Sequence, residues 1–345
     1  MKKLTLSVFA LALIFACSGA KKTSETVWEH SDKVPEKYIR TITQNELKNH
    51  IFTIASDEMQ GRDTGSEGQK KAGRYLIEQY KKIGLSYPEQ ADGFYQSVPS
   101  SFMKTAWSPT LPDSENIWVY FEGGELKDEL IVISAHYDHV GMKNDEIYNG
   151  ADDNASGTSA LLEIADAFVQ AKKDGHTPKR SILFLHVTGE EYGLHGSRYY
   201  SENPILPLEN TTTSINIDMI GRRGYGKEDN DNYVYVIGSD RLSTDLHKIS
   251  EEANQKYIGL ELDYKYNDLN DPNRFYYRSD HYNFAKKGIP AIFYFDGVHD
   301  DYHKTTDTPD KIDFPLYEKR VRLAFAVAWE LANAEKRPVV DRSGK

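Results

Sequence analysis

The chain has 345 residues, with 53 acidic against 42 basic side chains and a formal charge of −11. That balance argues against nucleic acid as a partner, since nucleic acid selects for basic patches. With 39% hydrophobic and 28% charged residues, the composition is that of a globular protein and excludes a disordered, collagen-like or small disulfide-stapled chain.

Lys2 and Lys3 precede an uncharged run from Leu4 to Ala16, and the single cysteine, Cys17, follows. The run is shorter than the roughly 20 apolar residues of a membrane span, so residues 1–16 read as a secretory signal. Ile14-Phe15-Ala16-Cys17 resembles a bacterial lipobox. That resemblance implies lipid attachment at Cys17 and membrane contact only through this anchor. It also implies an extracytoplasmic location in a bacterium, in the periplasm or at the cell surface. With Cys17 so used, no thiol is left for a metal, and metal chemistry falls to His, Asp and Glu. Residues 17–40 read as the lipidated N-terminus and a polar tether, and residues 41–340 as a single domain.

Within that domain, the spacing of Leu47, Ile51 and Ile54 predicts a helix over 46–59. A second helix, Glu67–Ile83, is stopped by Gly84. Residues 86–116 are rich in Ser and Pro and read as a long surface loop. Four short apolar runs follow: Leu130–Ala135, Ser181–Val187, Thr213–Ile217 and Ile289–Phe295. Their near-continuous hydrophobicity suits strands buried on both faces. Helices Ser156–Lys172, Leu242–Lys256 and Leu316–Ala334 are interleaved with them. This alternation predicts an α/β fold, a three-layer α/β/α sandwich with a mainly parallel, mixed central sheet. Ligands of such sheets bind beyond the carboxyl ends of the strands, and the candidate metal-binding residues sit at those ends.

Five motifs carry the chemistry. In His136-Tyr137-Asp138, the carboxylate is close enough to receive the second N–H of a metal-bound imidazole. In Asn149-Gly150-Ala151-Asp152-Asp153-Asn154-Ala155-Ser156-Gly157, the acids either cap the following helix or place one carboxylate between two metals. In Gly189-Glu190-Glu191, neighbouring glutamates point apart, so one can bind metal while the other serves as general base. Asp218 lies in the apolar run Ile215–Ile220, where an acid is costly to bury unless paired or metal-bound. His303 follows Asp301-Tyr302.

In this order the motifs resemble the secreted co-catalytic zinc aminopeptidases, a family that also includes glutamate carboxypeptidase and the glutaminyl cyclases. The resemblance runs from Met59-Gln60-Gly61-Arg62 to Thr308-Pro309-Asp310. It implies a peptide-cleaving metalloexopeptidase with two zinc ions per chain. His136 and Asp218 would bind one zinc, Glu191 and His303 the other, and Asp152 would bridge them. Asp138 would orient His136, Glu190 would activate a metal-bridging water, and Tyr302 would steady the oxyanion. A cis peptide, found in the family between paired acids, would fall at Asp152–Asp153. Three ligand carboxylates and one hydroxide neutralise two zinc ions but leave excess negative charge around one. Three alternatives share the fold: a single-zinc glutaminyl cyclase, a carboxypeptidase or dipeptidase, and a non-enzymatic binding module. The second needs a basic residue for a substrate carboxylate, and Arg222, Arg223, Arg274 and Arg278 are available.

Overall fold

The computed structural model describes Met1, residues 35–105 and residues 110–343. The signal segment and Cys17 lie outside the described residues. In chain order the strands are β1 (Tyr95–Val98), β2 (Ser114–Phe121), β3 (Leu126–His136), β4 (Gly141–Lys143), β5 (Glu146–Tyr148), β6 (Arg180–Val187), β7 (Thr211–Ile217), β8 (Tyr233–Ile237), β9 (Glu261–Asp263) and β10 (Ala291–Phe295). The helices are α1 (Glu36–Ile39), α2 (Gln44–Ile54), α3 (Glu67–Ile83), α4 (Ser100–Met103), α5 (Gly157–Lys173), α6 (His195–Glu202), α7 (Thr244–Ala253), α8 (His281–Ala285) and α9 (Phe314–Asn333). None of them is long and apolar enough to cross a membrane.

Eight strands form one twisted sheet in the order β1-β2-β6-β3-β7-β10-β8-β9, while β4 and β5 make a separate hairpin. The central strands β6, β3, β7 and β10 are parallel to one another. Antiparallel β2 flanks them on one side and antiparallel β8 on the other. Strands β6, β7 and β10 are buried at every position, as strands covered on both faces must be. The two-residue period divides their side chains. Ile131, Ile133, Ile182 and Phe184 face a core shared with α2, α3, α5, α7 and α9. Leu130, Val132, Leu183 and Leu185 face a smaller core with Tyr200 of α6 and Phe284 of α8. Each such side chain contributes about 1.5–3 kcal/mol when fully buried.

Local signals fix several boundaries. Helix α3 starts where Ser66 accepts the Gln69 amide and stops at left-handed Gly84 (φ 88°). Helix α2 starts at Thr43, which accepts the Glu46 amide and donates its hydroxyl to the Glu46 carboxylate. Thr43 thus serves as the N-cap of the helix. Three expectations need correction. Pro35–Arg40 is folded rather than tether, because Tyr38 and Ile39 are buried in the main core, with Tyr38 stacked on Trp329. Residues 86–116 are not a plain loop, because β1 pairs with β2 as an edge hairpin. The sheet also gains β8 and β9, the former a Tyr-Val alternation buried throughout.

One buried side chain ties the N-terminal layer to the sheet. The Arg62 guanidinium donates to the carbonyls of Ile54, Tyr137, Asn149 and Gly150 at 2.7–3.0 Å. Two of those carbonyls belong to the Asn149-Gly150 turn, and a third lies between His136 and Asp138.

Candidate metal centre

The parallel strands end together, and their carboxyl ends deliver the chemistry. His136 is the last residue of β3, Glu190 and Glu191 follow β6, Asp218 follows β7, and the segment after β10 carries His303. Asp153 comes from the turn that opens α5. Two glycines let that turn close. Gly150 is left-handed (φ +56°), and a Cβ there would lie 2.2 Å from the Asp153 carbonyl oxygen. A Cβ on Gly157 would lie 2.3 Å from the Ile217 carbonyl oxygen, so glycine lets α5 start directly against β7. Asn154 completes the join, accepting the Gly157 and Met219 amides and donating to the Ile217 carbonyl.

Two donor clusters result, each drawn together within 4.8 Å: His136 with Asp153 and Asp218, and His139 with Asp153, Glu191 and His303. Asp153 belongs to both. His136 Nε2 stands 3.2 Å from Asp218 Oδ1 and 3.3 Å from Asp153 Oδ1. His303 Nε2 stands 2.9 Å from Asp153 Oδ2 and 3.0 Å from Glu191 Oε2.

The expectation that Asp152 lies between the clusters is therefore corrected to Asp153. Asp152 turns the other way. Its Oδ1 accepts the Gly221 amide at 2.7 Å and its Oδ2 meets His299 Nε2 at 3.0 Å. The Asp307 carboxylate accepts the amides of both Asp152 and Asp153, which holds the two side chains on opposite sides of the chain. Behind the centre, burial and the Asp152 carboxylate push the Asp296 carboxyl well above its ordinary range. The cis peptide likewise falls one residue later than expected, at Asp153–Asn154.

The other site residues are placed as follows. Asp138 is buried, but its carboxylate is 3.9 Å from His136 Nδ1, and the backbone carbonyl of Asp138 is the nearer acceptor at 3.2 Å. The Asp138 carboxylate instead accepts the Thr64 hydroxyl and the Glu190 amide, so it positions the glutamate turn. Ser279 donates to Asp218 Oδ2 at 2.5 Å and orients that acid. Glu190 belongs to neither cluster and lines an open cavity together with Asp153, Asp218 and Tyr302. Tyr302 stacks on His303 with ring centres 3.9 Å apart.

His139 was missed. Its Nδ1 meets Glu191 Oε1 at 2.7 Å, and its buried Nε2 has no partner among the described residues. The signal was present as a second imidazole three residues after His136. His299 had no comparable cue, since its partner Asp152 is 147 residues away.

Four acids, Asp153, Asp218, Glu190 and Glu191, crowd this small volume, and that dictates its electrostatics. Burial opposes charge on His136, yet Asp218 and Glu190 outweigh it and raise the imidazole well above its usual value. Burial likewise opposes charge on His303, but the bonds to Asp153 and Glu191 lift it to about 10. Burial, with Asp218 and Glu191, drives Glu190 well above the carboxylate range, His136 only partly offsetting it. Protons thus gather where positive charge is required. Mixed imidazole and carboxylate donors around a buried surplus of negative charge fit divalent cations that displace those protons.

The model of peptidase family M28 matches residues 116–328. A probable leucine aminopeptidase of Arthroderma otae is 29% identical over 215 residues, covering 60% of this chain and 55% of that protein. The chain thus matches little more than half the length of this curated relative. Solved structures agree in fold. The LapA aminopeptidase of Legionella pneumophila has a TM-score of 0.69 at 24% identity, covering 92% of this chain and 77% of that one. The zinc aminopeptidase BSAP of Bacillus subtilis has a TM-score of 0.63 at 16% identity, covering 86% and 99%. A glutaminyl cyclase of Porphyromonas gingivalis has a TM-score of 0.64 at 18% identity, covering 83% and 97%.

Proposed function

Since the chain belongs to peptidase family M28, we propose that it is a zinc-dependent aminopeptidase that removes N-terminal residues from peptides. The observation that carries this reading is Asp153, one carboxylate shared by two donor clusters, with Glu190 beside both and bound in neither. His136, Asp153 and Asp218 would hold one zinc. Asp153, Glu191 and His303 would hold the second, with His139 backing Glu191. Bound zinc would supply Lewis-acid polarisation of the scissile carbonyl and of the attacking water.

The chain's own groups do the rest. Glu190 takes the proton of the attacking water and returns it to the leaving amine. The substrate's ammonium is drawn to the acids on the cavity floor, which favours attack at the first peptide bond. Tyr302, fixed by its stack on His303, directs its hydroxyl toward the developing oxyanion.

Metal analysis of fully active protein is expected to give about two zinc ions per chain, removable by a strong chelator. One ion at full activity, together with pyroglutamate formation from an N-terminal Gln peptide, would instead make the protein a cyclase. The resemblance of Ile14-Phe15-Ala16-Cys17 to a lipobox supports a lipid-anchored enzyme acting outside the cytoplasm, since two acyl chains or more anchor stably. Mass spectrometry of the native N-terminus is expected to find acylated Cys17, and an unmodified N-terminus elsewhere would refute the anchor.

A further inference from the structure

The cavity beside the donor clusters has two chemically different parts. Asp153, Glu190 and Asp218 form its acidic floor, while Met219, Phe275, Phe293, Phe295 and Val298 give it apolar walls. Arg278 is the only cation among these lining residues.

The sequence offers four arginines near this region, and the structure separates them. Arg222 is paired with Asp301 at 2.8 Å, and Arg223 with Asp313 at 2.7 Å. Arg274 lies over the exposed Tyr277 ring and does not line the cavity. Arg278 lies with its guanidinium carbon 4.8 Å from the centre of the Phe275 ring. Among the described residues it makes no ion pair. Its contact with the Phe275 ring holds the guanidinium at the cavity wall and leaves N–H groups to bind a ligand.

We propose that Arg278 is a specificity-determining residue that sets the charge preference for the substrate's first side chain. This rests on the aminopeptidase reading, because it takes the substrate ammonium to sit at the acidic floor. A residue anchored there runs its side chain along the Phe walls and brings the tip to Arg278. Apolar side chains gain from the walls whatever the arginine does. A carboxylate tip gains a charge-assisted, bidentate pair. An ammonium or guanidinium tip meets a like charge. Because Arg278 is exposed to solvent, screening limits each effect to about tenfold.

The test compares kcat/KM of the zinc-loaded full chain on dipeptide amides matched in shape, N-terminal Glu against Gln and N-terminal Lys against norleucine, with Leu as reference. Glu is expected to exceed Gln by about tenfold and Lys to fall below norleucine by a similar factor. Both ratios should approach one in Arg278→Met, persist in Arg278→Lys and invert in Arg278→Glu. Wild-type ratios near one, or ratios unchanged in Arg278→Met, overturn the inference while leaving the aminopeptidase reading intact through turnover of the Leu substrate. Turnover of none of the five overturns both.

Discussion

Glu190→Gln is expected to keep its full zinc content and lose about 10²–10⁴ in kcat. The two halves of that result come from separate observations. Glu190 lies outside both donor clusters, so an amide in its place removes no ligand. The amide cannot accept a proton, so the attacking water loses its base. KM is expected to rise modestly, because one negative charge is lost from the floor that receives the substrate ammonium. Glu191→Gln gives the opposite pattern, since Glu191 meets both His139 and His303. It should weaken one zinc position, with activity partly recovered in excess metal. Zinc content and kcat measured on both variants decide the matter. Loss of zinc from Glu190→Gln with retention in Glu191→Gln would reverse the two roles.

Asp153→Asn is expected to have the larger effect on metal. Asp153 serves both clusters, and replacing its carboxylate removes a charged donor from each. Zinc affinity should fall at both positions by well over about 100-fold, with activity lost in parallel. The neighbouring change, Asp152→Asn, alters a group that bonds to Gly221 and His299 and faces away from the donors. Because that carboxylate contacts none of the donors, its loss should cost no more than about 10–100-fold in metal affinity, the loss typical of a group bonded to a ligand. Competition of each variant with a chromogenic chelator gives the two values directly. A greater loss in Asp152→Asn than in Asp153→Asn would restore Asp152 as the shared ligand.

That pair also shows what the sequence could and could not reveal. The motifs at His136, Glu190-Glu191, Asp218 and His303 were legible because each follows an apolar run, and parallel strands end on a common side. Helix α3 was legible to the residue, since Ser66 and Gly84 are local signals read within one turn. The choice between Asp152 and Asp153 was not legible. Adjacent acids in a turn are chemically equal, and their directions depend on Gly221, His299 and Asp307, which are 69, 147 and 155 residues distant from Asp152. Strand β8 escaped notice for a related reason: its tyrosines look polar in a linear scan, but Tyr235 is buried by ring packing against Tyr266 and Phe295, and Tyr233 packs on Tyr235.

The Asp307 clamp on the Asp152 and Asp153 amides has a consequence for synthesis. A nascent chain that has emerged through Asp218 already contains His136, Asp153 and Asp218, yet the carboxylate that aims Asp153 has still to be made. His303 is still to be made as well, and β10, which bonds to β7, comes only after residue 290. Contacts of such long sequence separation form late. The centre is thus completed only once the segment after β10 is in place, and a partial chain offers a stray metal only a loosely held set of donors.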